Sequence, residues 1–235
     1  MRLDNFLVAN SYAKSRTKAQ ELIKASFVSV NAKVITKSSF RLKVSDEVEI
    51  KEHKAYVSRS ALKLALFLEE LQLDIKDLVA LDIGASTGGF TQVLLENDVR
   101  EVSSVDVGFA QLDKSIKEDA RVSSYESCDI RDFKSDKEFD LVVSDVSFIS
   151  LLNILDDIDR LASDKIILLF KPQFEVGREA SRDKNGVVTD VKAIERAMIK
   201  FEDAAKLKEW RLVKKSPSQL TGKEGNLEYC YFFKK

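Results

Sequence analysis

The sequence has little of several residue types, and each shortage excludes a class of protein. Its 235 residues include one histidine, two cysteines, two prolines and eight glycines. A metal site built from several histidines is therefore excluded, and Cys128 and Cys230 are too few for a disulfide framework. No apolar run approaches the ~18 residues of a membrane-spanning helix, and the first residues lack the apolar core of a secretion signal. These shortages predict a cytoplasmic protein without a metal or a membrane partner.

Charge is nearly balanced overall but unevenly distributed along the chain. Residues 1–55 contain 11 Lys and Arg against 6 Asp and Glu, whereas the other 180 residues contain 27 against 33. The first segment thus carries +5 and the remainder −6. A small basic segment suits a polyanionic partner, and it suits equally well a solvated surface that binds nothing. Charge alone leaves both interpretations open.

The first 57 residues have the pattern of a small α+β domain. Apolar spacing predicts helices over 2–9 and 15–25, with Ser15 as the N-cap of the second. "FVSVNAKVI" predicts a hairpin that turns near Asn31 and Ala32, and "DEVEI" alternates as a strand does. The polar residues 51–58 predict a linker.

From residue 60 onward, strands alternate with helices. Helices are predicted over 60–71, 89–96, 148–162 and about 190–208, with one more between the second and third strands, and both prolines fall outside the predicted elements. The predicted strands are "LVALDIG", "EVSSVDVG", "RVSSY", "FDLVVSD", "KIILLF", "EWRLVKK" and "NLEYCYFF". This alternation predicts an α/β fold over 58–235, a Rossmann-like sheet with helices on both faces.

A glycine-rich turn, "LDIGASTGGF", follows the first of these strands and opens a helix. A dinucleotide fingerprint needs a glycine where Ser86 stands, so the looser spacing of Asp82, Gly84, Gly88 and Gly89 favours S-adenosylmethionine. Asp82 can face the cations of that ligand, Asp106 can accept its ribose hydroxyls, and Asp129 can meet its adenine. The candidate cofactor-binding residues are Asp82, Gly84, Ser86, Thr87, Gly88, Gly89, Asp106, Asp129 and Ile130.

Four charged residues are predicted to meet at one edge of the sheet. Asp145 and Lys171 end consecutive strands, and ligands of open α/β sheets lie at the carboxyl ends of the strands. Glu228 opens the last strand and joins them if that strand is antiparallel, and Lys63 interrupts the apolar helix before the first strand. Taken singly, each has an ordinary alternative: an exposed lysine, a strand terminus, or a structural ion pair.

Several motifs resemble known families. "RLDNFLV", "SRTKAQELIKASFVSVN" and "DEVEI" resemble the RNA-binding domain named after ribosomal protein S-four, with Ser26 and Ala32 where that family usually has glycine. "YVSRSALKL", "DIGASTGGFT", "DVSFIS", "LFKPQFE" and "GNLEY" resemble FtsJ-type RNA 2′-O-methyltransferases. Over its whole length the chain resembles the TlyA family, also named hemolysin A. The resemblance maps a catalytic Lys-Asp-Lys-Glu set onto Lys63, Asp145, Lys171 and Glu228.

The resemblance implies methyl transfer from S-adenosylmethionine to the ribose 2′-hydroxyl of cytidine in ribosomal RNA, chiefly of the large subunit. A lysine acts as a base only in its neutral form, which burial and a second ammonium favour. Lys171 is the candidate base, and Lys63 either lowers the pKa of Lys171 or stabilises the developing oxyanion. Asp145 and Glu228 orient the two lysines. In the alternative, both lysines stay protonated and only the positioning of the substrate accelerates the reaction.

Arg16 and Lys18 are the candidate RNA-binding residues, and the expected partner is ribosomal RNA or a ribosomal subunit. The oligomeric state stays open. Rival functions are a non-catalytic RNA-binding protein, a nicotinamide oxidoreductase and a membrane-active hemolysin.

Overall fold

A computed structural model of the protein describes residues 1–13, 15–24, 27–50 and 56–235. The chain forms two compact units, Met1–Ala55 and Tyr56–Lys235. Residues 51–55 of the predicted linker lie outside the described residues, as do Ala25, at the end of the second predicted helix, and Ser26. In the described part of the chain, no helix is long and apolar enough to cross a membrane.

The N-terminal unit packs helices against a small antiparallel sheet. Its elements are α1 (Leu3–Ala9), α2 (Arg16–Lys24), β1 (Val28–Val30), β2 (Lys33–Val34) and β3 (Val48–Ile50), and the described strands have the order β2-β1-β3. The Ser15 hydroxyl accepts a hydrogen bond from the Lys18 amide at 3.3 Å, which confirms the predicted N-cap. The core consists of Leu3, Leu7, Ala19, Ile23, Val28 and Val30.

The predicted hairpin turn is confirmed, and it is made without glycine. Asn31 and Ala32 have φ values of 51° and 62°, so both adopt the left-handed conformation. A two-residue turn of type I′, which matches the twist of the flanking strands, requires this conformation at both positions. Asp46 holds the Asn31 side chain by a 2.9 Å hydrogen bond, whereas the Cβ of Ala32 makes its conformation costly.

The second unit is an α/β sheet. Its helices are α3 (Ser60–Leu71), α4 (Gly89–Glu96), α5 (Lys114–Lys117), α6 (Leu155–Leu161), α7 (Pro172–Glu175) and α8 (Val191–Leu207). Its strands are β4 (Val79–Ile83), β5 (Glu101–Val105), β6 (Val122–Tyr125), β7 (Phe139–Ser144), β8 (Ala162–Phe170), β9 (Arg211–Pro217) and β10 (Tyr229–Lys234). In the described residues the sheet order is β6-β5-β4-β7-β8-β10-β9. Strands β4 to β8 run parallel, whereas β10 is antiparallel to both of its neighbours.

Alternate strand residues pack against helices on opposite faces of this sheet. Leu81, Val142 and Leu168 belong to one core together with α6 and α8. Ala80, Leu141 and Ile167 belong to the other core, together with α3 and α4. The period of two along each strand produces this division, and burial on both sides explains why the strands are nearly continuous apolar runs. The predicted fold class is confirmed.

Two sequence predictions were wrong in detail. Instead of a helix over 148–162, the chain forms a 3-10 turn at Leu151–Asn153 and then α6, and Ala162 begins β8. Phe148 has a φ of 67°, which a helix cannot contain, and the Ser150 hydroxyl caps the 3-10 turn. The prolines also lie within elements: Pro172 begins α7, and Pro217 ends the edge strand β9. Both positions tolerate the missing N–H.

Candidate active site and cofactor cavity

The four predicted charged residues lie at the carboxyl edge of the parallel strands. Asp145 directly follows β7, and Lys171 directly follows β8. Tyr229 of β10 pairs with Phe170 of β8, so antiparallel pairing sets Glu228, one residue earlier, beside Lys171 at the same edge. Glu228 therefore precedes the last strand rather than opening it, and it is buried.

These residues form two largely buried ion pairs. The Lys171 Nζ lies 2.7 Å from Asp145 Oδ1, with side-chain exposures of 8% and 13%. The Lys63 Nζ lies 2.5 Å from Glu228 Oε2, with exposures of 10% and 2%. Removing one member of a buried pair leaves the other charge without compensation. Within each pair, the carboxylate and the lysine therefore hold one another in position. Lys63 is therefore not the solvent-exposed helix residue that the alternative interpretation expected.

Two further polar residues, which the sequence interpretation missed, contact the ion pairs. The Lys171 Nζ donates to the Ser147 Oγ at 2.8 Å and to the Asp145 carbonyl at 3.2 Å. The Gln173 Nε2 donates to Glu228 Oε1 at 3.2 Å. Ser147 lies in "DVSFIS" and Gln173 in "LFKPQFE", so both belong to motifs that had been singled out for their charged residues.

Two adjoining cavities open at this edge. One, of about 440 Å³, is lined by Lys63, Asp145 and Lys171, and by Arg59, Thr87, Phe90 and Lys223 among others. The other, of about 330 Å³, is lined by Asp106, Asp129 and Ile130, and by Val107, Cys128 and Phe148 among others. Gly84, Ser86, Asp145 and Ser147 line both. Lys63, Lys171 and Asp145 therefore border the first cavity, and Asp106, Asp129 and Ile130 border the second.

Asp106 has a carboxylate that is held in place but retains accepting capacity. Its Oδ2 accepts the Ser86 amide at 2.8 Å, and its Oδ1 accepts the Gly108 amide at 2.6 Å. A carboxylate has about four lone-pair positions, so one position on each oxygen stays available. Such a group, fixed at a cavity wall, suits a ligand that presents two neighbouring hydroxyls.

The glycine-rich turn combines left-handed backbone with close packing. Gly84 and Gly88 have φ values of 80° and 93°, and Ser86 adopts 48°. A Cβ on Gly89 would lie 2.1 Å from the Ser58 Oγ, so this glycine allows α4 to approach the start of α3. Gly84 and Ser86 line the cavities, whereas Gly88 and Gly89 provide backbone geometry and packing behind them. The motif did not show which of these residues line a cavity and which serve backbone geometry and packing.

Asp82 is fully buried in β4. The Thr91 hydroxyl donates to its Oδ2 at 2.6 Å, while Oδ1 is buried without a hydrogen-bond partner among the described residues. Burial raises the pKa of this carboxyl to about 7, and the charges of Asp145 and Asp106 act in the same direction. The residues lining the two cavities in the described structure do not include Asp82. Its direct contact with a cofactor stays a prediction.

Asp129 lines the second cavity, as does the neighbouring Ile130. The Arg131 guanidinium donates to both oxygens of Asp129, at 2.9 and 2.6 Å, and lowers the pKa of that carboxyl to about 2. Contact between Asp129 and an adenine amino group would have to share these oxygens with Arg131. That contact stays a prediction.

Arg16, a candidate RNA-binding residue, has an internal partner. Its Nε donates at 3.0 Å to Oδ2 of Asp4, a buried carboxylate that also accepts from Arg2 and Gln20. The Arg2 hydrogen bonds hold the pKa of Asp4 well below its usual range. The Arg16 side chain is still 56% exposed, and Lys18 lies on the exposed surface of α2. Arg16 is therefore both a structural residue and a candidate for phosphate contact.

Comparison with known proteins identifies two family models in the chain. The FtsJ-like methyltransferase model matches residues 56–235, and the S4 domain model matches residues 1–48. The 23S rRNA (cytidine-2′-O)-methyltransferase TlyA of Campylobacter jejuni subsp. jejuni serotype O:23/36 (strain 81-176) is 44% identical, over 99% of both chains. Hemolysin A of Brachyspira hyodysenteriae is 35% identical, over 99% of both chains.

Among solved structures, a protein of Streptococcus thermophilus that carries the name hemolysin matches 100% of this chain and 88% of its own. Its TM-score is 0.73 and its identity 32%. The family model covers the second unit, and the similarity to the Campylobacter jejuni relative extends over almost the full length of the chain. The chain belongs to the FtsJ-like methyltransferases and, along its full length, to the TlyA family.

Proposed function

We propose that the protein transfers a methyl group from S-adenosylmethionine to the ribose 2′-hydroxyl of cytidine in large-subunit ribosomal RNA. The observation that carries this proposal is the pair of buried Lys–carboxylate contacts beside a nucleoside-sized cavity. The name of the Campylobacter jejuni relative specifies that same reaction for that relative. We further propose residues 1–57 as the RNA-binding domain and 58–235 as the catalytic domain.

The second cavity fits S-adenosylmethionine by the chemistry of its walls. Asp106 offers two fixed acceptors to a ribose, and Val107, Ile130 and Ile154 give the same cavity an apolar surface for a base. Gly84, Ser86 and Thr87 would border the amino-acid end, where the two cavities meet. When bound, the cofactor supplies an electrophilic methyl group.

The residues of the first cavity are suited to activating a hydroxyl. A 2′-hydroxyl must lose its proton as it attacks, and a neutral Lys171 is the proposed proton acceptor. Lys63 places a positive charge in the same cavity and would stabilise the developing oxyanion. Asp145 and Glu228 hold the two lysines in position through the contacts described above. These roles belong to the proposal, as does the partner, ribosomal RNA or a ribosomal subunit.

The test is the Lys171→Ala variant. We expect it to lower the single-turnover rate of methylation of ribosomal RNA by at least ~10²-fold, because general-base catalysis contributes about that much. Binding of S-adenosylmethionine, measured by calorimetry, should change little, since Lys171 lines the first cavity and not the second. The substrate is RNA or subunits from a strain that lacks the protein, with the modified nucleotide mapped.

Lys165→Ala is a matched control, because Lys165 lies on the same strand nearer its other end and pairs with Asp164. It should leave methylation unchanged. Retention of most activity in Lys171→Ala would overturn the proposed role of Lys171. Specific RNA binding without methylation by the wild-type protein would favour the non-catalytic alternative.

One relative is named hemolysin A, so a membrane-active function is the second candidate. Purified protein incubated with dye-loaded phospholipid vesicles tests it directly. Dye release at protein concentrations that suffice for RNA methylation would support a membrane-active function. Intact vesicles would leave methyl transfer as the activity to pursue.

A further inference from the structure

The Lys171 Nζ lies near three oxygen atoms. It donates hydrogen bonds to the Asp145 carbonyl at 3.2 Å and to the Ser147 Oγ at 2.8 Å, and it forms an ion pair at 2.7 Å with Asp145 Oδ1, which accepts no hydrogen bond among the described residues. The Lys171 side chain is only 8% exposed, whereas Ser147 is exposed. The hydroxyl of Ser147 is therefore the member of this group that is best presented to a substrate.

Ser147 also lies between the cavity proposed for the methyl donor and the cavity proposed for its acceptor. It lines both cavities, whereas Lys171 lines only the larger one. Among the described residues, the Ser147 Oγ accepts from Lys171, and its own proton is not donated to another protein group. A hydroxyl can accept and donate at once, which makes it able to pass a proton between two neighbours.

We propose that Ser147 relays the proton of the RNA 2′-hydroxyl to Lys171. This inference rests on the proposed methyl transfer and adds a residue to it. With Lys171 neutral, the 2.8 Å contact reverses, and the Ser147 O–H donates to the Nζ lone pair. The 2′ O–H bond breaks and an Oγ–H bond forms, while the original Oγ–H bond breaks and an Nζ–H bond forms. The serine hydroxyl is restored, Lys171 becomes an ammonium, and the 2′-oxygen keeps the electron pair with which it attacks.

The experiment compares Ser147→Ala and Ser147→Thr in the full-length protein under single-turnover conditions. We expect Ser147→Ala to lower the methyl-transfer rate by about 10- to 100-fold, at the lower end of proton-transfer contributions. Ser147→Thr, which retains a hydroxyl, should recover most of that rate. Affinities for S-adenosylmethionine and RNA should stay within about twofold of wild type, since the relay acts on the chemical step.

A proton inventory in H₂O–D₂O mixtures adds a readout that a purely structural role would not change. Two protons move together in the relay, so the wild-type rate should depend non-linearly on the deuterium fraction. Ser123→Ala, which removes an exposed hydroxyl on β6, should retain the wild-type rate and curvature.

Three outcomes would overturn the relay. They are a Ser147→Ala rate within twofold of wild type, a loss that Ser147→Thr does not recover, and a linear wild-type inventory. A wild-type protein that fails to methylate RNA would instead contradict the proposed function itself, so the two failures are distinguishable.

Discussion

Asp106 is the residue for which the structure makes the sharpest prediction about the cofactor. Its carboxylate accepts two backbone amides and has acceptor positions left for a ribose. Asp106→Ala should therefore weaken S-adenosylmethionine binding by at least about tenfold, which corresponds to about 1.4 kcal/mol. Isothermal titration calorimetry measures the affinity, and circular dichroism verifies that the domain remains folded.

The Asp106→Asn variant separates two contributions to that loss. The amide keeps one oxygen that can accept from Ser86 or Gly108 but loses acceptor capacity for hydroxyls. We expect an intermediate affinity. Near-normal affinity in Asp106→Ala, or preferential binding of NAD by the wild-type protein, would contradict the assignment of this cavity.

Asp82 should make the free energy of unfolding fall as pH rises, whereas a salt-bridged carboxylate makes it rise. Its pKa is raised by burial from an ordinary value near 4 to about 7 in the folded protein. Below about pH 4 the carboxyl is neutral in both the folded and the unfolded chain. Between about pH 4 and 7 only the unfolded chain ionises, so the free energy of unfolding falls by up to about 1.4 kcal/mol per pH unit. Above about pH 7 the penalty is constant.

The Asp82→Asn variant should lose this dependence. Urea unfolding at pH 5, 6, 7 and 8 should show its stability rising relative to wild type up to about pH 7 and levelling off beyond it. Asp203→Asn, which removes an exposed carboxylate on α8, is the control and should follow the wild type. Parallel curves for Asp82→Asn and wild type would contradict the raised pKa.

Among single residues, the sequence indicated as site candidates those whose type is unusual for their position. Asp145 and Lys171 are charges that directly follow apolar strands, and such interruptions are conspicuous. Ser147 and Gln173 are ordinary residues for a loop, and their partners lie 24 and 55 residues away along the chain. The sequence predicted a sheet covered on both faces, which implies a buried β4, but it did not show whether the Asp82 side chain reaches a ligand.

At the scale of elements, boundaries were predictable where local sequence decides them. Helices α3 and α4 have the predicted limits of 60–71 and 89–96. The predicted helix over 148–162 failed because a distant residue competes. Glu175 accepts from the Leu151 amide at 2.8 Å and from the Ser150 hydroxyl at 2.6 Å, which fixes the 3-10 turn and delays the helix. Apolar periodicity contains no information about such a partner.

The β1–β2 turn supplies a prediction at the same scale. Ala32 adopts a φ of 62°, which glycine tolerates without steric cost. Ala32→Gly should stabilise the N-terminal unit by about 0.5–1 kcal/mol, the steric gain less the extra freedom of the unfolded chain. Hydrogen exchange of peptides covering residues 27–50 in the full-length protein should then be about two- to fivefold slower.

The matching control is Ala9→Gly, at the last residue of α1, where the backbone is helical. This variant should not slow exchange, because glycine there brings no steric relief and adds freedom to the unfolded chain. Faster exchange in Ala32→Gly would mean that the turn is held by contacts that outweigh the strain at this position.

The distribution of charge governs the molecule as a whole. The segment 56–235 is acidic overall, yet Arg59, Lys63, Lys171 and Lys223 line the first of the two adjoining cavities, with Asp145 also in the wall. An RNA backbone would thus meet a locally positive cavity on an acidic unit. This local charge was not visible in the sum over the sequence, because residues 59 to 223 become neighbours only through the fold. Only the N-terminal segment, residues 1–55, carries a net positive charge over its whole length.

We therefore expect the N-terminal unit to determine the salt dependence of RNA binding. Each neutralised phosphate contributes about 0.7–0.9 to the slope of log K against log salt, because bound phosphates release counterions. Replacing Arg16 and Lys18 together by alanine should reduce the slope by about one to two units. The lower figure is favoured because Asp4 already neutralises part of the Arg16 charge. Lys192→Ala combined with Lys206→Ala, which removes two exposed charges from α8, controls for net charge. Titration of all three proteins against ribosomal RNA across a salt series measures the slopes, and equal slopes would show that the Arg16 and Lys18 surface is merely solvated.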